Sequence, residues 1–359
     1  MLLVGNNETS SLSLTRSQLQ VNRLLLINEA KIALLSFELP INAMQFLRFL
    51  KIKPSHFKTL ANLEAAKSLF KHSVNLVEIE VFSYCNRTCW FCPNSFIDRR
   101  SANIYMPEAL YLSILEQLAE IEFDGKISYS RYNEPLADKI ILERIKQARN
   151  LLPKAHLHTN TNGDYLNNAY LHELKAAGLN SLNIQIYLAN NEHYDHEKMR
   201  KTMLKVQERL GLSGSIVKEK QGEWLEAEFD FEGLTIRQYA RNFDINGCSR
   251  GDTLPIFQDY QRTAPCFSPF EHLYIDYNGN VIPCCNIRSD IEQHQKAIVG
   301  DLESDLNIFQ IYAGKELSQW RKGLVSFSKK GGLCANCRFN VVKPSLANRL
   351  GSRYAQHLI

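Results

Sequence analysis

Along the first 74 residues apolar positions recur at helical spacing: Leu19, Val21, Leu24, Leu25, Ile32 and Leu35, then Met44, Phe46, Leu47 and Leu50, and again from Leu60 to Phe70. The pattern predicts an N-terminal helical segment, a cap or docking element over residues 1–74, without chemistry of its own. At Leu76–Phe82 the period shortens toward two and β-branched residues enter, which predicts a strand. Helix and strand signatures then alternate: helix Pro107–Ile121, strand Lys126–Ser130, helix Lys139–Leu151, strand His156–Thr159, helix Tyr165–Ala177, strand Ser181–Leu188 and helix Asn191–Leu210, opened by Asn190 or Asn191. Two β-rich runs, Leu225–Phe231 and Leu234–Tyr239, bring the expected strand count to about six. Such alternation predicts an α/β fold on a parallel sheet, with functional loops at the carboxyl ends of its strands.

This unit is expected to span residues 75–246. A second unit, 247–340, carries an Asn278-Gly279 hairpin signal between Leu273–Ile275 and Val281–Ile282. The tail, 341–359, reads as polar and helical.

Composition narrows the class. The chain has 359 residues, 45% hydrophobic and 22% charged, which excludes a largely disordered protein. Its net charge of +4 is scattered rather than gathered into a stripe, so no nucleic-acid partner is expected. The start lacks an export signal. The greasiest stretch, Leu24–Ile27 and Ile32–Phe37, is broken by Asn28, Glu29 and Lys31, short of the roughly 20 apolar residues of a membrane span. A cytoplasmic protein with no membrane partner is expected, and its nine cysteines then read as metal ligands rather than disulfides.

Cys85, Cys89 and Cys92 fall directly after the first predicted strand. A closed zinc site requires four ligands, whereas three thiolates on a four-iron cluster leave one iron open to an exogenous molecule. A zinc knuckle completed by His72, His156 or His158 is the alternative. Cys266, Cys284, Cys334 and Cys337 make a closed set of four, which suits either zinc or a second four-iron cluster; Cys285 is the alternative to Cys284.

The C-x3-C-x2-C spacing, with Phe91 beside its last cysteine, resembles the signature of the radical S-adenosylmethionine (SAM) superfamily over about Val74–Phe243. The resemblance implies a partial (β/α)6 barrel and a [4Fe-4S] cluster on Cys85, Cys89 and Cys92. Its free iron would chelate SAM, and reductive cleavage would give methionine and a 5′-deoxyadenosyl radical that abstracts a substrate hydrogen. Asn133-Glu134-Pro135-Leu136 resembles the family segment that binds the methionine amino group, with Tyr132-Asn133 where glycines are common. Thr161-Asn162-Gly163 resembles the family's Thr-Asn-Gly turn, Gln185 and Arg200 occupy places that contact ribose and carboxylate, and Phe91 would lie against adenine.

Gly279 through Cys284, Val299–Leu302 and Cys334-x2-Cys337 resemble a SPASM or twitch auxiliary-cluster domain, which implies a second [4Fe-4S] cluster. Relatives of that kind commonly modify ribosomally made peptides. The leading expectation is therefore oxidation, crosslinking or backbone cleavage of a peptide substrate, with a flavodoxin- or ferredoxin-type electron donor and a peptide-recognition companion protein. Dehydrogenation of a small polyol or aminosugar is the alternative, and a zinc-stapled nucleic-acid adaptor is the reading the balanced charge disfavours. Cys248 is a candidate hydrogen-donating or substrate-binding thiol, and Arg250 and Asp252 are candidate lining residues of the substrate cavity.

Overall fold

The computed structural model describes residues 41–304 and 307–359. Of the predicted N-terminal helical segment, residues 1–40 lie outside the described residues, and the remainder forms two helices, Ile41–Leu50 and Leu63–Ser73. The second is capped by Asn62, whose side chain accepts from the Ala65 amide.

The described strands are β1 (Leu76–Ile79), β2 (Lys126–Ser128), β3 (His156–Thr161), β4 (Ser181–Gln185), β5 (Ile216–Lys220), β6 (Trp224–Phe231), β7 (Leu234–Arg241), β8 (His272–Ile275), β9 (Asn280–Ile282) and β10 (Gly300–Asp301). They form one sheet in the order β10-β9-β8-β1-β2-β3-β4-β7-β6-β5. Six adjacent strands, β8-β1-β2-β3-β4-β7, run parallel. Helices Glu108–Glu120, Ile140–Leu151 and Asn168–Ala176 connect β1 through β4 in turn, and His196–Leu210 leads away from β4. Their apolar faces, Ile114, Leu118, Ile141, Ile145, Leu171 and Met203, share one core with Val77, Ile127, Leu157, Leu182 and Ile236 of the strands.

Three elements differ from the sequence expectation. Leu225–Phe231 does not extend the parallel set: Glu232 and Gly233, at φ 51° and 91°, make a two-residue turn with both positions left-handed, which folds β6 back antiparallel on β7. The sixth parallel strand is instead β8, which pairs along β1 from Leu76↔His272 to Ile79↔Ile275 and then turns at Gly279 into β9. The expected boundary at residue 247 therefore does not divide the sheet. The fourth connecting helix starts at His196, not Asn191, because Asp195 caps it through the Lys198 amide while Asn190 is engaged elsewhere.

The chain ends in the helix Leu346–Gln356, which packs on Ile41–Leu50 with Gly351 directly over the Phe49 ring. No helix among the described residues is long and apolar enough to cross a membrane.

Candidate active site

The cysteine loop leaves the carboxyl end of β1, where a parallel sheet presents its functional loops. Several distant groups hold it. Cys85 N donates to Arg99 O at 3.1 Å, Thr88 N to Asn190 Oδ1 at 3.2 Å and Trp90 N to Asn190 O at 2.9 Å. Arg87 pairs with Asp164 at 2.6 Å and donates to Leu188 O. The result places Cys85, Cys89 and Cys92 on the wall of one cavity of about 330 Å³.

Of the residues expected to bind cofactor, Phe91, Asn133, Glu134, Thr161, Asn162 and Gln185 line the same cavity. Glu134 is held from three sides: Thr161 Oγ1 donates to Oε1 at 2.5 Å, Leu136 N to Oε1 at 3.1 Å and Asn162 N to Oε2 at 2.7 Å. Burial pushes its carboxyl up to about 7, against the pull of those donors. Gly163 sits at φ 78° where a Cβ would lie 3.0 Å from Ile184, so the turn that delivers the Asn162 amide requires glycine. Gln185 accepts from the Tyr187 hydroxyl. Phe91 stacks on Phe243 at 3.5 Å between ring centroids and 3° between planes.

Arg200 is not brought to this cavity. It lies on the far side of its helix, paired with Glu219, which also takes His196 Nε2 at 2.7 Å. Asp252 is likewise turned outward, toward Asn336 Nδ2 at 3.2 Å, while Arg250 does line the cavity.

The thiols suit an iron–sulfur cluster. Burial pushes Cys85 and Cys89 up to about 12, a cost that bonding to iron as thiolates would offset. Among the described residues no three His, Cys, Asp or Glu side chains converge on a point where a single ion would sit. The three thiols share the wall of one cavity.

Around the C-terminal cysteines, the loops after β9 and after the helix Lys315–Leu324 meet the segment before β8. Cys284 Sγ accepts from Asn286 N at 3.4 Å, Cys337 Sγ from Phe339 N at 3.4 Å and from Arg262 Nη1 at 3.7 Å. Arg262, fully buried, also donates to the carbonyls of Ala264, Pro265 and Phe339 and so ties the two loops together. Burial lowers Lys330 to about 8, with the Cys334 and Cys266 thiols beside it. Amide donors and two buried cations suit four thiolates carrying net negative charge.

Cys248 does not line the cavity; its sulfur lies 3.8 Å from Cys337 Sγ, beside the C-terminal cysteines. Cys285, by contrast, does line it, as do Arg131 and Tyr132. Arg131 is buried against Asp276 at 2.6 Å and Glu78 at 3.7 Å, and burial pushes Glu78 up to about 8 despite that guanidinium. Arg131 carries no motif signal beyond its place three residues before Glu134. Phe243 carries none, because its role depends on a stack with a residue about 150 positions earlier.

Residues 79–211 match the family model described as the radical SAM superfamily, and residues 266–338 match SPASM, an iron-sulfur cluster-binding domain. The S-adenosyl-L-methionine-dependent 2-deoxy-scyllo-inosamine dehydrogenase of Niallia circulans is 29% identical over 265 residues, 73% of this chain and 92% of that protein. The crystal structure of BtrN in complex with AdoMet and 2-DOIA is similar at a TM-score of 0.54 and 25% identity, over 77% of this chain and 97% of that one.

Proposed function

The chain belongs to the radical S-adenosylmethionine superfamily and carries a C-terminal SPASM domain, and from that premise we propose that it dehydrogenates a small polyhydroxylated molecule of the polyol or aminosugar class. It is an oxidoreductase of that superfamily, and its cofactors are SAM and two [4Fe-4S] clusters.

The relative carries the substrate class, and the cavity agrees with it. The cysteine triad, the Glu134 loop and Cys285 of the C-terminal region line one cavity of about 330 Å³, so that cluster, SAM and substrate would share one site. The curated relative, named for an inosamine substrate, supports the same reading over peptide modification.

Cys85, Cys89 and Cys92 would hold the first cluster, and Cys266, Cys284, Cys334 and Cys337 the second. When bound, the first cluster and SAM supply a carbon-centred radical for hydrogen abstraction, and the second cluster supplies an acceptor for the remaining electron. The chain's own work is binding and orientation. Glu134, presented by Thr161 and Asn162, offers a carboxylate to the SAM ammonium. Asn133 Nδ2, buried with no partner among the described residues, offers a donor to the same ligand. Phe91 and Tyr187 supply flat apolar surface, and Gln185 a polar edge, at the ends of β1 and β4. The setting is a reducing cytoplasm with a flavodoxin- or ferredoxin-type donor.

The test is hydrogen transfer. Holoenzyme given SAM, a strong reductant and carbon-deuterated polyols and aminocyclitols is expected to place deuterium in 5′-deoxyadenosine and to form one carbonyl per deoxyadenosine. Transfer from peptides but from no polyol or aminocyclitol would sink this reading.

A further inference from the structure

Four arginines line the cavity: Arg87, Arg131, Arg241 and Arg250. Arg87 is balanced by Asp164 and Arg131 by Asp276. Among the described residues neither Arg241 nor Arg250 pairs with a carboxylate. Arg241 lies over the Phe243 ring at 4.5 Å and its Nε has no acceptor. Arg250 donates Nη1 to Asn286 Oδ1 at 3.1 Å and its Nε is also unmet. Arg131 Nη1 and Asn133 Nδ2 complete the set of buried, unpartnered side-chain atoms in the lining. All four are donors, so the ligands must bring acceptors.

The lining carboxylates do not supply the missing charge. Glu134 is already committed to three donors, and Glu78 sits against Arg131. The C-terminal thiols have cations of their own in Arg262 and Lys330. SAM contributes one carboxylate, and although the Cys92 thiol of the first site and Cys285 lie near Arg250, neither accepts from its Nε. Arg250, rather than Arg241, is placed toward the C-terminal side. It occupies the left-handed region at φ 50°, followed by Gly251 and Asp252 at φ 66° each, and His294 Nε2 is fixed to Gly251 O at 2.9 Å. A strained backbone pinned in this way holds the side chain at the cavity. Arg250 and Arg131 both approach one ring, their guanidinium carbons 5.8 Å and 5.7 Å from the Tyr132 centroid, with that of Arg288 at 4.6 Å.

We propose that the substrate carries an acid group, a carboxylate or a phosphate, bound by Arg250. The proposal rests on the small-molecule reading above and narrows its polyol or aminosugar class to molecules that also bear an acid group, since a lone ammonium group would meet like charge at Arg250.

Calorimetric titration of SAM-saturated holoenzyme with glucuronate, glucose 6-phosphate, glucosamine and glucose tests it. At least one acid is expected to bind about tenfold or more tightly than glucose, glucosamine no more tightly than glucose, and the acid's advantage to shrink at high salt. Which acid wins tells carboxylate from phosphate. Arg250→Gln is expected to abolish the preference and Arg250→Lys to keep part of it, with iron content reporting that both variants remain folded. Equal binding of acid and neutral sugars, tighter binding of glucosamine, no detectable binding of either acid at about 10 mM, or a preference that survives Arg250→Gln would overturn it. Failure of the deuterium-transfer experiment leaves this comparison readable, because it measures binding alone.

Discussion

Cys284 and Cys285, adjacent in the chain, hold their thiols against one another but have different further neighbours: Cys284 accepts from the Asn286 amide at 3.4 Å near Cys266 and Cys337, whereas Cys285 lines the cavity beside Arg131 and Arg250. Replacing them is expected to have unequal effects. Cys284→Ala should lower bound iron from about eight atoms per chain to about four, while Cys285→Ser should keep about eight. Iron analysis of the two reconstituted variants checks this, and equal losses would reverse the ligand assignment.

The cysteine triad predicts the complementary loss. Cys89→Ala is expected to abolish 5′-deoxyadenosine formation while retaining about four irons, those of the C-terminal site. Residual deoxyadenosine above the reductant-only background would count against Cys89 as a ligand.

Glu134 sets an acid limb. Since burial raises its carboxyl to about 7, the charged form that would attract the SAM ammonium becomes dominant only above that pH. SAM affinity is expected to rise as pH increases through about 7 and to fall below it by up to about tenfold per unit. The stability of the ligand-free chain carries the opposite sign from this group. A raised carboxyl pKa contributes stability below the ordinary carboxylate range, and that contribution is lost as pH climbs through about 7. Equilibrium dialysis of SAM across pH should show the limb in the parent and a flattened profile in Glu134→Gln.

Phe70 joins the helix Leu63–Ser73 to the C-terminal region. It is fully buried, with edge contacts to Phe309 and Tyr312 at 5.2 Å each and to Phe123 at 6.3 Å. Phe70→Ala is expected to cost about 3–5 kcal/mol of stability. Denaturant titration of the apo chain measures it, and a loss below about 1 kcal/mol would mean the site repacks.

What was legible in the sequence is what the chain encodes locally. The cysteine triad, Glu134 and Thr161-Asn162-Gly163 each follow a strand within a few residues, so spacing alone brought them to the same end of the sheet. Arg200 failed this test because a helical position says nothing of which side faces the strands, and Glu219 on β5 claims it. Cys248 was legible as a thiol near the junction but not as a neighbour of Cys337, 89 positions away. The same limit hid the use of Asn190 as a tether for the cysteine loop and the parallel pairing of β8, which looked like one arm of a local hairpin and is also the neighbour of β1.

Because β8 is laid along β1, the C-terminal region is part of the scaffold from which the first cysteine loop springs. Shortening the chain at residue 246 would strip a strand from the parallel sheet and bare the edge of β1, so an isolated N-terminal piece is expected to aggregate rather than survive as a minimal enzyme. The loops that carry the two cysteine sets then spring from one sheet, so the spacing of its strands bears on how far apart the two clusters would lie.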